Sequence, residues 1–209
     1  MALTDKLSAI GDAIREKTGK SDKMTILQMP DEIRSISAGE TLKNPYIETE
    51  LNNSNQVVKA TLHGYTVTYK NMLFGQSSLT EVNFEGIEIV ISESMFEGCS
   101  SLNDISIPDT VTSIYRAAFL GCSSLVDIAI PQNVTRILNI AFQNCRSLET
   151  VKFLGTVKNI DNSVFNTCGN LVHIYVPWSE GEINNAPWGA TNATIHYNTT
   201  YDENGEVIE

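Results

Sequence analysis

Basic residues are scarce in this chain: 14 lysines and arginines stand against 25 aspartates and glutamates, a formal net charge of −11. Such a surface repels a phosphate backbone over most of its area, so nucleic acid and anionic membrane are not expected as partners. Long apolar runs are missing as well. No window approaches the roughly 18 residues of a membrane-spanning helix, and no membrane insertion is expected. The opening Met1-Ala-Leu-Thr-Asp-Lys-Leu-Ser8 has no basic stretch followed by an apolar segment. No secretion signal is read there, and synthesis in the cytoplasm is expected.

Catalytic signatures are also absent. The chain has no Gly-x-Ser-x-Gly elbow, no phosphate loop and no dinucleotide fingerprint. Its three histidines, His63, His173 and His196, fall in no metal-ligand spacing such as His-x-x-x-His and read as surface or strand residues. Asp202-Glu-Asn-Gly-Glu206 is too short for a calcium loop and reads as a solvated turn. No catalytic residue, metal or cofactor is expected, and the chain is read as non-enzymatic. What remains is an ordinary soluble composition, 42% hydrophobic and 19% charged over 209 residues, enough for one or two domains.

One phrase is written four times: Phe96-Glu-Gly-Cys99-Ser-Ser-Leu102, Phe119-Leu-Gly-Cys122-Ser-Ser-Leu125, Phe142-Gln-Asn-Cys145-Arg-Ser-Leu148 and Phe165-Asn-Thr-Cys168-Gly-Asn-Leu171. The phenylalanines step by 23 residues each time. A fixed period of this length implies a solenoid, one coil per repeat, in which no coil buries its apolar face without a neighbour. Within a unit the apolar positions recur, as in Phe119, Leu125, Ile128, Ile130, Val134, Ile137 and Ala141. The Leu-x-x-Ile-x-Ile segment alternates with period two and reads as a short strand. Pro108, Pro131 and Pro177 end it by withholding a backbone donor. A first copy, Met72-Leu-Phe74-Gly-Gln-Ser-Ser-Leu79, is one residue short between Phe74 and Leu79 and has no cysteine. The count is about five coils over residues 72–177.

All four cysteines, Cys99, Cys122, Cys145 and Cys168, hold the same place in successive repeats. The period explains their spacing without a disulfide, because thiols pointing in parallel into one core have poor bridging geometry. Four ligands strung along a stack cannot converge on one tetrahedral zinc. Buried free thiols acting as small apolar fillers are expected.

Residues 95–140, carrying Ala-Phe-x-Gly-Cys-x-Ser-Leu-x-x-Ile-x-Ile-Pro-x-x-Val-Thr-x-Ile, resemble the BspA-type leucine-rich repeat. The resemblance covers about half of the chain. It implies a leucine-rich-repeat solenoid, and with the ends read from their own residues the fold expected is mainly β with short helices, an N-terminal helical segment and β caps at both ends. Here the cysteine precedes the strand, so the backbone-capping role of the asparagine ladder in the general leucine-rich consensus is not carried over. Fold alone does not supply a function.

The ends have a different composition. Leu3, Leu7, Ile10, Ala13 and Ile14 fall on one helical face, Thr4 or Asp5 can cap its start and Gly19 its end. A second helical segment is read from about Thr25 to Ile36. These helices pack on the chain's own solenoid, or present Leu3, Leu7, Ile10 and Ile14 as an attachment face to a partner or to copies of the chain, a threefold bundle among them. The leader, Leu3 to Gly19 followed by Met29-Pro-Asp-Glu-Ile-x-x-Ile36, resembles one seen on tail-associated proteins of phages and prophages of Gram-positive gut bacteria. That resemblance implies an attachment role in a virion tail, beside other tail proteins, with the solenoid meeting a host cell-surface protein or glycan. The alternative is a bacterial surface adhesin or protein-interaction module. The expected division is 1–44 helical segment and linker, 45–71 N-terminal β cap, 72–177 solenoid, and 178–209 C-terminal cap and tail.

If the repeated strand points its named residues inward, Asn83, Ser106, Ala129, Lys152 and Tyr175 form one outward row. Glu81, Asp104, Asp127, Thr150 and His173 form a second. The candidate binding surface drawn from these rows is Asn83, Ser106, Lys152, His173 and Tyr175, with Trp178 beside them.

Overall fold

Period-two segments too short to stand alone must pair between coils, and that pairing builds the molecule. The computed structural model describes residues 23–26, 46–63, 71–85 and 90–208. Two strands, β2 (Tyr46–Leu51) and β3 (Val57–His63), form an antiparallel hairpin, flanked by β1 (Lys23–Ile26) on one side and by β4 (Glu81–Glu85), parallel to β3, on the other. Asn52 closes the hairpin turn, its side-chain oxygen accepting the Ser54 and Gln56 amides.

From β5 to β11 the strands pair in parallel. The strands β6 (Asp127–Ile130), β8 (Thr150–Phe153), β10 (His173–Tyr175) and β11 (Thr194–His196) form one sheet in that spatial order. On a second side of the coils, β5 (Ser113–Ile114), β7 (Arg136–Ile137) and β9 (Asn159–Ile160) form a short ladder that Ile91 extends by one bridge. The tail closes as a hairpin of β12 (Thr200–Tyr201) and β13 (Val207–Ile208), with Gly205 in the left-handed conformation its turn requires.

A third side of each coil is made of turns. Amides on this side donate to carbonyls of the following coil: Leu73 to Met95, Phe96 to Ala118, Phe119 to Ala141, Phe142 to Val164 and Phe165 to Trp188, all at 2.8–3.0 Å. Short helices were expected in the chain, but the described residues contain strands and turns only. One left-handed position recurs at Gly75, Gly98, Gly121, Asn144 and Thr167. It tightens the corner too sharply for a helical turn to continue.

The core consists of files running along the stack. Phe96, Phe119, Phe142 and Phe165 are fully buried, with successive ring centroids 5.2, 5.0 and 5.7 Å apart. The file starts one coil earlier at Leu73, which is 2% exposed, whereas Phe74 is 53% exposed. The first coil therefore keeps the full 23-residue step from Leu73 to Phe96, and the apparent missing residue was a misassigned core position. Trp188 continues the same step at the far end and is fully buried. Six turns result, one more than the sequence count, because the last has a tryptophan where the phrase has phenylalanine.

The cysteines are free and buried, as expected, but they are more than fillers. Each thiol points at a carbonyl of the preceding coil: Cys99 at Leu73, Cys122 at Phe96, Cys145 at Phe119 and Cys168 at Phe142, at 3.0–3.2 Å. A weak S–H donor thus adds a second hydrogen bond to one core carbonyl per coil, beside the amide that carbonyl already accepts. Burial pushes the Cys99 thiol up to about 12 and those of Cys122 and Cys145 well above the ordinary range.

Strand β1 takes up Thr25 and Ile26, where the second N-terminal helix was expected to begin. Pairing with β2 satisfies backbone groups that a helix start would leave open. Leu3, Leu7, Ile10 and Ile14 lie outside the described residues, as does the segment from 27 to 36.

Candidate functional site

The outward rows of the sheet hold the exposed chemistry. Register alternation fixes this: Ile128, Ile130, Val151, Phe153 and Ile174 are buried, so their neighbours face water. Asp127, Ala129 and His173 are exposed, and Thr150, Lys152 and Tyr175 are half-buried on the same face. Ser106, in a coil that forms no strand there, is exposed in line with them.

The rows do not gather into one patch. Asn83 lies four coil steps from Tyr175, about 19 Å at roughly 4.8 Å per step. Its amide donates to Glu81, which is ion-paired with Lys59 at 2.6 Å. Ser106 is three steps from Tyr175 and stands apart as well. Trp178 is a correction: it is 3% exposed and packs edge-on against Phe153 at 5.2 Å and Trp188 at 6.3 Å. After Pro177 the chain turns inward, and burying the indole closes the apolar end of the stack better than water would.

What the fold does gather lies at the C-terminal end of the sheet. His173 and Tyr175 on β10 meet His196 on β11. The His196 ring stacks on Tyr175 with centroids 4.3 Å apart and planes 15° apart. His173 Nδ1 lies 3.0 Å from His196 Nε2. Burial, and then the neighbouring His173, hold His196 below its usual pKa. His63 is not part of this group; it sits between Glu85 at 3.1 Å and Glu48 at 3.7 Å on the N-terminal sheet.

The tail hairpin frames the patch. Glu206 Oε2 lies 2.6 Å from Lys152 Nζ, so the cation expected to face a ligand is paired within the chain. Tyr201 Oη donates to the Tyr175 carbonyl at 3.2 Å, and burial pushes its phenol up to about 12. Asp202 accepts the Glu206 and Asn204 amides, which holds its carboxyl below the usual range and fixes the turn. Between hairpin and coils lies an open groove of about 520 Å³, lined among others by Asp109, Gln132, Leu154, Tyr201 and Asp202.

Sequence reasoning missed His196, Tyr201 and Glu206. The first carried a signal: His196 follows His173 by 23 residues, the repeat period itself. The other two had none, because a hairpin folding back across earlier coils has no period.

A family model described as BspA type Leucine rich repeat region, in 6 copies, matches residues 67–192. The fold is similar to that of a leucine-rich repeat protein from Bacteroides ovatus, at 32% identity over 52% of this chain and 28% of that one, with a TM-score of 0.46. It is also similar to the leucine-rich repeat protein of T. pallidum, at 23% identity over 62% and 68% of the two chains, with a TM-score of 0.47. This chain thus spans under a third of the Bacteroides ovatus protein. No curated protein matches it at a significant level.

Proposed function

This chain belongs to the BspA-type leucine-rich repeat family, and from that premise we propose that it is a binding module whose contact surface is the C-terminal patch of His173, Tyr175 and His196. The repeat fold is typically a non-enzymatic scaffold, and its residues here support that use. The thiols and the phenylalanine file lie in the core, leaving chemistry to the outward rows. The observation that carries the reading is the stacked ring pair of Tyr175 and His196, held at the surface of a sheet whose opposite face is packed. A flat aromatic face with polar edges suits a sugar ring or a protein side chain, because it offers apolar area and hydrogen bonds at low entropic cost.

The partner is a cell-surface protein or glycan, and an adhesin-like role follows from that choice. A finer reading places the chain in a phage or prophage tail, as a homotrimer beside other tail proteins and facing the host. Its support is the resemblance of the leader between Leu3 and Ile36, which the family match does not reach. Co-purification with intact tail particles tests it; a protein absent from such particles is not a tail component.

The patch itself is tested on a glycan array and on intact bacterial cells. Tyr175→Ala is expected to lower binding at least about tenfold, in line with loss of a central aromatic anchor. Phe74→Ala, at the distant first coil, is expected to leave binding unchanged. Equal binding by wild type and Tyr175→Ala would refute the assignment.

A further inference from the structure

We infer that His173 and His196 form a two-imidazole clip for a first-row divalent metal, with Cu²⁺ preferred over Zn²⁺. The geometry comes from the strand offset. His173 stands opposite Thr194 and Tyr175 opposite His196, so the two imidazoles are diagonal neighbours on one outward face. Their facing nitrogens, Nδ1 of His173 and Nε2 of His196, lie 3.0 Å apart.

That separation is a hydrogen bond between the two rings, and it keeps both nitrogens within the span of two metal–nitrogen bonds of about 2.05 Å to a single ion once the rings turn. Among divalent ions the general affinity order of nitrogen donors puts Cu²⁺ above Ni²⁺ and Zn²⁺.

Both rings can present a lone pair. In the hydrogen-bonded pair one facing nitrogen carries the proton. On metal binding that ring moves its proton to its far nitrogen, so two neutral imidazoles bind the ion with no net proton loss. The ring planes are 48° apart and His173 is exposed, which leaves room to turn both lone pairs toward one point above the sheet. No third His, Cys, Asp or Glu among the described residues completes the set, and water fills the remaining positions. Tyr175, stacked on His196, would flank the ion and tie its binding to the patch surface.

The test uses the full chain and CuCl₂, NiCl₂ and ZnCl₂, with calorimetry and the Cu²⁺ electron paramagnetic resonance spectrum as readouts. Expected are one Cu²⁺ per chain, nitrogen hyperfine structure from two imidazoles and affinity in the order Cu²⁺, Ni²⁺, Zn²⁺. His173→Asn and His196→Asn should each weaken Cu²⁺ binding at least about tenfold, and His63→Asn should not. A second measurement needs no variant: in the wild-type amide spectrum, Cu²⁺ should broaden residues 172–175 and 194–197 first. Cu²⁺ affinity that survives both substitutions, or broadening centred on His63, overturns the clip. So does binding weaker than about a millimolar dissociation constant, the level of a lone surface group. The partner-binding assay of Tyr175→Ala has a separate readout, so the clip and the contact surface can fail independently.

Discussion

Two adjacent residues, Leu73 and Phe74, separate the structural reading from the one-dimensional pattern. By composition Phe74 is the first member of the phenylalanine file, but it is 53% exposed while Leu73 is 2% exposed. Truncating a buried leucine costs about 2–5 kcal/mol through lost transfer energy and the cavity left behind. Truncating a half-exposed phenylalanine with no file to belong to costs within about 0.5 kcal/mol. Leu73→Ala should therefore destabilise the chain by at least about 1.5 kcal/mol more than Phe74→Ala. Phe142→Ala sets the scale. Its ring lies between Phe119 at 5.0 Å and Phe165 at 5.7 Å and has no exposed area, so a loss of about 3–5 kcal/mol is expected. Because coils couple through nearest neighbours, this central gap should also broaden the transition and lower its denaturant slope. Urea unfolding followed by far-ultraviolet circular dichroism measures all three variants. A Phe74→Ala protein as unstable as Leu73→Ala would refute the file assignment at the first coil.

Stability should fall at alkaline pH. The Cys99 thiol, pushed up to about 12 by burial, stays protonated in the native chain where the unfolded thiol, near 9.0, ionises. Its contribution is complete below pH about 9 and is lost toward 12, at about 1.4 kcal/mol per pH unit for each such thiol. Urea midpoints at pH 8, 9 and 10 should drop, with a shallower slope in Cys99→Ala; identical slopes would contradict the buried-thiol ladder. Gly155→Ala should cost about 1–3 kcal/mol or more, because its new Cβ would lie 2.3 Å from the Gln132 carbonyl oxygen. Gly169→Ala, with nothing within 4 Å, should be near neutral in the same thermal melt. Glu206→Ala should speed amide exchange in β12 and β13 while changing global stability by under about 1 kcal/mol, since the Glu206 side chain of the pair is solvent-exposed. Unchanged exchange there would show that the ion pair does not hold the hairpin.

The amino-acid sequence alone determined the repeat and its inward positions. A coil of 23 residues cannot bury its own apolar face, so the positions that recur at that step must be the ones that meet neighbouring coils. Phe96 to Phe165, the four thiols and the outward placement of Asp127, Lys152, His173 and Tyr175 follow from that necessity. Where the period falters, local pattern no longer decides which side chain turns in. Leu73 displaced Phe74, Trp188 completed a sixth turn and Trp178 went to the core, because each of those choices depends on the space left by residues from other coils. The pairing of His173 with His196, and of Lys152 with Glu206, was set by strand offset and by a hairpin folding back over earlier turns. Such contacts join residues that share no sequence neighbourhood, and only the stacked chain brings them within reach.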